Sequence, residues 1–197
     1  PSMWPSCWSR SKRWVKGRNN RMSNREALRE LQSRLAARLQ AARSEDISAS
    51  WLAVTAGAVN CLFPLAHSGE IFPLSNVQAV PYVRPWFAGV VNLRGGLYGV
   101  VDLGSYMSGQ ARKPRVEPGA SEPSVVTFNA ALELNCALMV DSLAGLRKRE
   151  AFTEAAAPPA GSPIYFGNLF TDLHGVQWQE INLQILSQHA DFLGIGA

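Results

Sequence analysis

The chain has 197 residues, of which 47% are hydrophobic and 17% charged, which excludes a wholly disordered protein and suits one domain or two small lobes. It contains no uninterrupted apolar run of about 18 residues, so the sequence predicts no membrane-spanning helix. The formal net charge is +4, but residues 1–21 hold six basic residues and no acid, so the remainder is slightly acidic.

Residues 1–21 also hold Trp4, Trp8 and Trp14, and a basic segment with interspersed tryptophans can bind nucleic acid or an anionic membrane. The segment lacks the apolar core of a secretory signal. Because Met22 opens a clear helix start, we expect residues 1–21 to be upstream sequence or a disordered extension. A functional basic arm is the alternative, and the rest of the chain indicates no nucleic-acid partner.

Residues 22–45 are expected to form an amphipathic helix, which we place at 24–43. Ser23 and Glu26 have the spacing of a capping box at its start. Leucines follow at helical spacing, at Leu28, Leu31, Leu35 and Leu39. This leucine stripe either packs on the same chain or docks on a partner, and the sequence leaves both possibilities open.

From Trp51 onward the pattern changes to short strands and turns, and we expect one domain of two lobes over residues 46–192. The predicted strands are WLAVTAG, VNCLFPL, GEIFPL, VQAVPYV, FAGVVNL, LYGVVDL, SVVTFN, CALMVDSL, RKREAF, IYFGNLF and VQWQEI. A short helical turn is predicted at 104–109 and a closing helix over NLQILSQHADFL. Residues 110–123 are polar and rich in proline and glycine, which indicates a loop or a hinge between halves.

An internal echo relates FAGVVNLRGGLYGVVDLGSYM to YFGNLFTDLHGVQWQEINLQIL. In both stretches an aromatic residue and glycine open a strand, a glycine turn follows, and a second strand ends before a helix. Short strands at even spacing, seen twice, favour two small β-barrels. Because neither half is large enough for a generous core of its own, we expect the two lobes to share one.

The sequence contains no motif typical of catalysis, of a cofactor or of a metal site. It has no P-loop, nucleophile elbow, dinucleotide-binding glycine pattern or zinc-protease motif. The histidines and cysteines do not stand at metal-ligand spacings; they are His67, His174, His189, Cys7, Cys61 and Cys136. Free cysteines in apolar strands behave as small hydrophobes, and their odd number favours a reducing compartment. Asp102 and Asp141 follow valine-rich strands, where aspartate usually caps the next helix or turn.

Arg94 is the most informative residue, because it is a cation at the end of an apolar strand, bordered by Gly95 and Gly96. A partly buried arginine needs a partner, and Glu70 in SGEIF is the attractive one. Such a pair either fixes two strands or belongs to a binding site, and the residues alone leave this open. The glycines also have a simple interpretation, since a tight turn needs a positive φ at one of them.

The stretch VPYVRPWFAGVVNLRGGLYGVVDL resembles the central signature of the CheW-like domain family. The signature positions are occupied by Gly89, Asn92, Leu93, Arg94, Gly95, Asp102 and Leu103. Glu70 matches the acidic residue that the family has upstream. The resemblance covers about residues 50–188 and is strongest over 63–109.

The resemblance implies an all-β fold of two five-stranded SH3-like barrels around a common hydrophobic core, with the N-terminal amphipathic helix and a short C-terminal helix. It implies a non-enzymatic adaptor without cofactor, cytoplasmic and recruited to membrane-associated receptor arrays. The implied partners are the CheW-like regulatory domain of a CheA-type histidine kinase and the cytoplasmic tip of a methyl-accepting receptor, whose helices would dock between the lobes. The implied partner-binding residues are Glu70, Gly89, Asn92, Arg94, Gly95 and Asp102.

The N-terminal helix, SWLAV, FPLAHSGEIFPL and WQEINLQIL further resemble the CheW-type adaptors of the chemosensory systems that control type IV pili and twitching motility. Two departures from ordinary adaptors of flagellar chemotaxis fit this, since Gly99 stands where proline is usual and QEINL at 179–183 replaces the usual run. Flagellar chemotaxis remains the alternative pathway. A small-molecule-binding β-barrel protein or enzyme is the alternative of another class, and it would need polar groups that converge in the groove between the lobes.

Overall fold

The computed structural model describes residues 29, 30, 32–34, 50–111 and 122–196. By contacts the chain divides into two units, Pro1–Ala41 and Ala42–Ala197. In the first unit the described residues are helical, and Arg34 Nη2 donates to Glu30 Oε1 at 2.6 Å, one helical turn away. These residues fall within the helix predicted over 24–43. The rest of that helix, its four leucines and the predictions for residues 1–21 lie outside the described residues.

The described part of the second unit consists mainly of β-strands, so the predicted all-β class is confirmed. Its strands are β1 Ser50–Ala56, β2 Val59–Pro64, β3 Ser68–Pro73, β4 Phe87–Leu93, β5 Gly96–Asp102, β6 Ser124–Phe128, β7 Cys136–Val140, β8 Ser142–Lys148, β9 Phe152–Ala156, β10 Phe166–Asp172 and β11 Gln177–Ile181. The short helices are α1 Leu103–Ser108, α2 Leu183–Gln188 and α3 Ala190–Leu193, with 3₁₀ turns at Ala130–Leu132 and Arg149–Ala151. No helix in the described ranges is long and apolar enough to cross a membrane.

The strands form a six-stranded sheet in the order β8-β1-β2-β11-β10-β9 and a five-stranded sheet in the order β3-β6-β7-β5-β4. The prediction of two five-stranded barrels differs from the structure in two respects, because one sheet has six strands and neither sheet closes through a continuous ladder. The two edges of each sheet are nevertheless linked. The edge strands β8 and β9 of the six-stranded sheet are joined in the chain by the 3₁₀ turn Arg149–Ala151. In the five-stranded sheet the chain leaving β3 returns to β4, where Gln78 exchanges backbone hydrogen bonds with Val90 at 2.8 and 2.9 Å.

The five-stranded sheet consists of β3 to β7 in one continuous stretch of chain, which is inserted between β2 and β8 of the six-stranded sheet. β6 and β7 follow the loop at 110–123 yet pair with β3 and β5, which precede it. The interpretation of that loop as a hinge between halves is therefore wrong. The predicted strand CALMVDSL is also divided, because the chain passes from the five-stranded to the six-stranded sheet at Asp141, where the backbone N–H bonds Thr55 O at 2.7 Å.

The internal echo corresponds to a repeated structural unit. β4, β5 and α1 form one copy, and β10, β11 and α2 form the other. Each is an antiparallel hairpin whose second strand pairs in parallel with a third, β5 with β7 and β11 with β2. Asp102 caps α1 by accepting from Ser105 N at 2.9 Å, and Asn182 caps α2 by accepting from Ile185 N at 3.0 Å. Both copies therefore continue from their second strand into a capped helix.

The described core consists of three clusters, and the largest is shared. It combines Leu52 and Phe63 of the six-stranded sheet with Val126 and Leu138 of the five-stranded sheet. A smaller cluster fills the inside of each sheet, around Trp51, Ala53, Leu62, Phe152, Phe170 and Trp178 in one and Val91, Leu93, Val100, Val125, Ala137 and Met139 in the other. The predicted common core is confirmed, and it fixes the position of one sheet against the other.

Three further predicted elements differ from the structure. The predicted strand RKREAF is interrupted, because Arg149–Ala151 within it form a 3₁₀ turn between β8 and β9. Residues 77–83 form no strand and make single bridges at Gln78 and Val83, in a stretch where Pro81 has no N–H to donate to a ladder. The closing helix divides into α2 and α3 at His189, whose ψ of 126° is extended.

Candidate functional site

The turn between β4 and β5 holds two consecutive residues in the left-handed backbone region. Arg94 has a φ of 50° and Gly95 a φ of 88°, and Leu93 pairs with Gly96 on either side. Turns with this geometry suit the twist of a hairpin and prefer asparagine followed by glycine. Asn92 Oδ1 accepts a hydrogen bond from Gly95 N at 2.9 Å and stabilises the turn. Left-handed geometry costs an arginine roughly 1–2 kcal/mol, so the turn alone does not explain Arg94.

Arg94 forms an ion pair with Glu70, the partner that the sequence indicated. Arg94 Nη1 lies 2.7 Å from Glu70 Oε2, and the two side chains remain 73% and 56% exposed. The guanidinium carbon also lies 5.5 Å from the centre of the Phe72 ring, a cation–π distance. Arg94 is thus in the turn beyond buried Leu93, more exposed than its place in an apolar run suggested. The pair joins β3 to the β4–β5 turn and leaves most of the guanidinium open to solvent.

A β-bulge in β3 determines where Glu70 stands. The register between β3 and β6 shifts so that Gly69 and Glu70 together oppose Thr127. Thr127 Oγ1 accepts from Glu70 N at 2.8 Å and lies 3.2 Å from Glu70 O, to which it donates. A Cβ at Gly69 would overlap Thr127 Oγ1 and would stand 2.7 Å from Phe128 O, so the bulge requires glycine there.

Gly89 allows two stretches of backbone to meet closely. Its φ is 138°, and a Cβ there would overlap the carbonyl oxygen of Gln78 and lie 2.8 Å from its carbon. Gln78 is the residue that exchanges hydrogen bonds with Val90 at 2.8 and 2.9 Å. Gly89 therefore permits the contact that links the two edges of the five-stranded sheet.

Asp102 lies at the opposite end of β5 from the Arg94 turn, about 20 Å away at the usual rise per residue. Its side chain is buried and caps α1, the structural role considered from the sequence. Gly89 faces Val100, near the same end of β5. The six residues predicted for partner binding therefore fall into two groups, with Glu70, Asn92, Arg94 and Gly95 together and Gly89 and Asp102 further along the hairpin.

A family model described as the CheW-like domain matches residues 50–162, which is more than half of the chain. The chain belongs to the CheW-like domain family. The match contains both strands of the Arg94 hairpin, β3 and the first strands of the six-stranded sheet, so the resemblance drawn from the sequence is confirmed.

A solved structure shares the fold of this CheW-like domain. It is the scaffolding protein TtCheW from Thermoanaerobacter tengcongensis, with a TM-score of 0.54 over 68% of this chain and 88% of that chain. The two sequences are 15% identical, so the likeness concerns the fold alone. Comparison with curated proteins by sequence gives no match.

An open groove of about 600 Å³ lies in the CheW-like domain between the β1–β2 turn and α1. Small residues at 56–58 and Gly104 line it, together with Met107 and Phe166. A second cavity of about 600 Å³ adjoins it and shares Phe166. Asp102 is part of the lining of the first cavity, so this groove lies near the far end of β5 from the Arg94 turn. Its lining is mostly apolar and comes from both sheets.

A second apolar surface lies on β8, where Leu143 and Leu146 are 41% and 68% exposed. Across the ladder to β1 they face Val54 and Leu52, which are buried in the shared core. Directly paired residues point to the same side of a sheet. The apolar side of the six-stranded sheet therefore continues from the core onto exposed leucines.

The two buried cysteines and the half-buried Tyr106 keep their protons at neutral pH. Burial raises the pKa of the Cys61 and Cys136 thiols to about 12, which disfavours the nucleophilic thiolate. Burial, with the nearby Tyr165 and Asp191, likewise raises the pKa of Tyr106 to about 12. Within the described ranges no three His, Cys, Asp or Glu side chains come together as metal ligands.

Sequence reasoning missed the residues that hold the Glu70–Arg94 pair in place. Gly69 before Glu70 was a usable signal, because glycine inside a strand pattern often marks a bulge. Thr127 and Phe72 gave none, since threonine and phenylalanine are ordinary strand residues until the pairing register is known.

Proposed function

We propose that this CheW-like domain is a non-enzymatic adaptor. It binds the CheW-like regulatory domain of a CheA-type histidine kinase and the cytoplasmic tip of a methyl-accepting receptor. Family membership supports the scaffold role, and the exposed Glu70–Arg94 pair is the observation that supports a protein-binding surface. Asn92 and Gly95 belong to this surface because they build its turn. Gly89 and Asp102 contribute indirectly, by fixing the edge of β4 and the start of α1.

The energetics of the pair favour recognition over stability as its role. An exposed ion pair contributes at most about 1 kcal/mol. The left-handed backbone of Arg94 costs roughly as much or more. The ion pair uses Nη1, and a guanidinium carries further N–H donors in a planar fork that matches a carboxylate or carbonyl group of a partner. Arg94 is thus held in one orientation while keeping donors free for binding.

Receptor helices would dock by apolar contact in the groove between the β1–β2 turn and α1, in the manner of a helix in a groove. The small residues that line it allow close approach of a helix backbone, and Met107 and Phe166 supply apolar contact. The exposed leucines of β8 offer further apolar area. Because this groove and the Arg94 turn lie at opposite ends of β5, receptor and kinase would bind to separate surfaces.

The adaptor would act through coupling free energy and not through chemistry. A protein that binds two partners raises their effective concentration near each other. If the receptor binds the adaptor with different affinity in its different signalling states, that difference in binding free energy shifts the conformational equilibrium of the bound kinase. The complex would assemble in cytoplasmic arrays at membrane-anchored receptors.

We further propose that the pathway is the control of type IV pili and twitching motility, with the protein in the role of PilI. The leucine-striped segment before β1, Gly99 and QEINL at 179–183 support this choice over flagellar chemotaxis. The genes beside the coding sequence provide the inexpensive check, since pilus genes would support the proposal and flagellar genes would contradict it.

The first prediction concerns Arg94. Arg94→Ala should fold and should bind the full-length CheA-type kinase of the same cell roughly tenfold more weakly, as expected for loss of about 1.4 kcal/mol from charge-assisted hydrogen bonds. Titration calorimetry measures this. Arg94→Asn is the matched control for folding, because asparagine suits the left-handed turn better than arginine does and cannot form the ion pair. Two well-folded variants with wild-type affinity would contradict the proposal.

A further inference from the structure

We propose that Thr127 is the positioning residue of the Glu70–Arg94 pair, and that its buried hydroxyl locks the β3 bulge that presents Glu70. The inference rests on the proposed function, because it assigns Thr127 a role in that same binding surface. Thr127 is 6% exposed and faces away from solvent, so it acts through Glu70 and touches no partner.

The bulge creates the need for the hydroxyl. Where two residues oppose one, the ladder is interrupted and a backbone N–H and C=O lose their regular partners. Those groups belong to Glu70, and Thr127 Oγ1 serves both, at 2.8 Å from Glu70 N and 3.2 Å from Glu70 O. One side chain therefore replaces the missing backbone pairing at the residue that meets Arg94.

Gly69 leaves the space that the Thr127 hydroxyl occupies. A Cβ at Gly69 would overlap Thr127 Oγ1, so a glycine at 69 and a hydroxyl at 127 fit each other. On the side away from β3, β6 pairs with β7, the middle strand of the five-stranded sheet, and Thr127 lies opposite Ala137. The hydroxyl is thus held on a rigid strand while β3 is the edge strand that it restrains.

Both contacts that hold the Arg94 guanidinium come from the segment that this lock restrains. Glu70 supplies the ion pair at 2.7 Å, and Phe72 supplies the ring at 5.5 Å. Residues two apart on a strand point to the same side, so Glu70 and Phe72 move together with β3. Without the hydroxyl, β3 would lose the position at which both reach Arg94.

Thr127→Val tests the inference, because valine has nearly the shape of threonine and lacks the hydroxyl. Thr127→Ser is the matched control, since it keeps the hydroxyl. Made in the full chain and titrated with the full-length CheA-type kinase, the valine variant should bind roughly tenfold more weakly. The serine variant should bind within about twofold of wild type.

Combination with Arg94→Ala separates positioning from a general structural effect. If Thr127 acts through the pair, Thr127→Val should weaken binding no further once Arg94 is removed, because residues of one network are not additive. Additive losses in the double variant would overturn the inference.

A measurement without the kinase separates failure of the inference from failure of the proposed function. In NMR spectra of the free protein, Thr127→Val should speed exchange of the Glu70 amide and remove the ring-current shift that Phe72 gives to Arg94, whereas Thr127→Ser should preserve both. A folded valine variant that keeps both signals overturns the inference. If Arg94→Ala binds the kinase normally, the proposed function fails, and these two signals still decide whether Thr127 positions the pair.

Discussion

Gly89 and Arg94 lie five positions apart on one hairpin, and both have a positive φ for different reasons. Gly89 adopts it because the backbone of Gln78 occupies the space where a Cβ would stand. Arg94 adopts it because a two-residue turn demands it, although arginine is a poor choice for the turn. Gly89 is therefore required by the packing of the sheet. Arg94, by contrast, adopts an unfavourable backbone conformation and exposes its side chain to solvent.

Gly89→Ala should lower the free energy of unfolding by about 2 kcal/mol or more, because the new methyl group must displace Gln78 and break its bridge to Val90. Gly95→Ala is the matched control, since Gly95 also has a positive φ but has open space where the Cβ would go. The control should lose only about 1 kcal/mol, from backbone strain. Urea unfolding of the three proteins measures both losses. Equal losses in the two variants would show that close packing at Gly89 adds nothing.

At the scale of elements, the two equivalent hairpins end in different turns. The β4–β5 turn presents an exposed ion pair, whereas the β10–β11 turn is organised around the buried carboxylate of Asp172. That carboxylate accepts hydrogen bonds from His174 N at 2.8 Å, Val176 N at 2.9 Å and Trp178 Nε1 at 3.1 Å. Burial acts to raise the pKa of Asp172, but these bonds outweigh it and hold the pKa below its usual value.

This lowered pKa predicts how stability depends on acid. Because the folded-state pKa of Asp172 lies below the unfolded value, its contribution is present above about pH 4 and is lost as the pH falls through the folded-state pKa. Asp172→Asn should destabilise the protein at pH 7, since an amide nitrogen cannot accept from Trp178 Nε1. The variant should also lose less stability than wild type between pH 5 and pH 2, roughly the range of the titration. Urea unfolding at several pH values measures this, and identical acid dependence would contradict it.

Local patterns predicted the hairpins, and long-range pairing explains what they missed. The β1–β2 and β4–β5 hairpins and α1 follow from alternation, turn residues and a capping aspartate within a few positions. Asp141 was predicted to cap the next turn, because nothing near it reveals that the chain changes sheets there. Its side chain instead accepts a hydrogen bond from Gly57 N in the distant β1–β2 turn at 2.6 Å. The candidate site likewise has a part that the sequence predicts and a part that it does not. Glu70 and Arg94 were conspicuous as charges in apolar sequence, whereas the role of Thr127 depends on the register of β6 against β3.

At the scale of the whole second unit, the insertion of one sheet into the other and their shared core make one cooperative body. The six-stranded sheet is completed by strands that follow the whole five-stranded sheet in the chain, and Leu52 and Phe63 of one pack in the same cluster as Val126 and Leu138 of the other. The Arg94 turn and the groove are therefore connected through one packed core. Such a body suits a protein that holds two partners in a fixed relation.

The central claim, that the protein bridges receptor and kinase, is tested most directly by co-sedimentation with receptor-containing membranes. Full-length CheA-type kinase is mixed with vesicles that carry the methyl-accepting receptor of the same cell, with and without this protein. The account predicts that the kinase sediments with the vesicles only when the protein is present, and that Arg94→Asn leaves the protein on the vesicles but lowers the bound kinase. Kinase that sediments equally well without the protein, or protein that sediments without carrying kinase, would contradict the account.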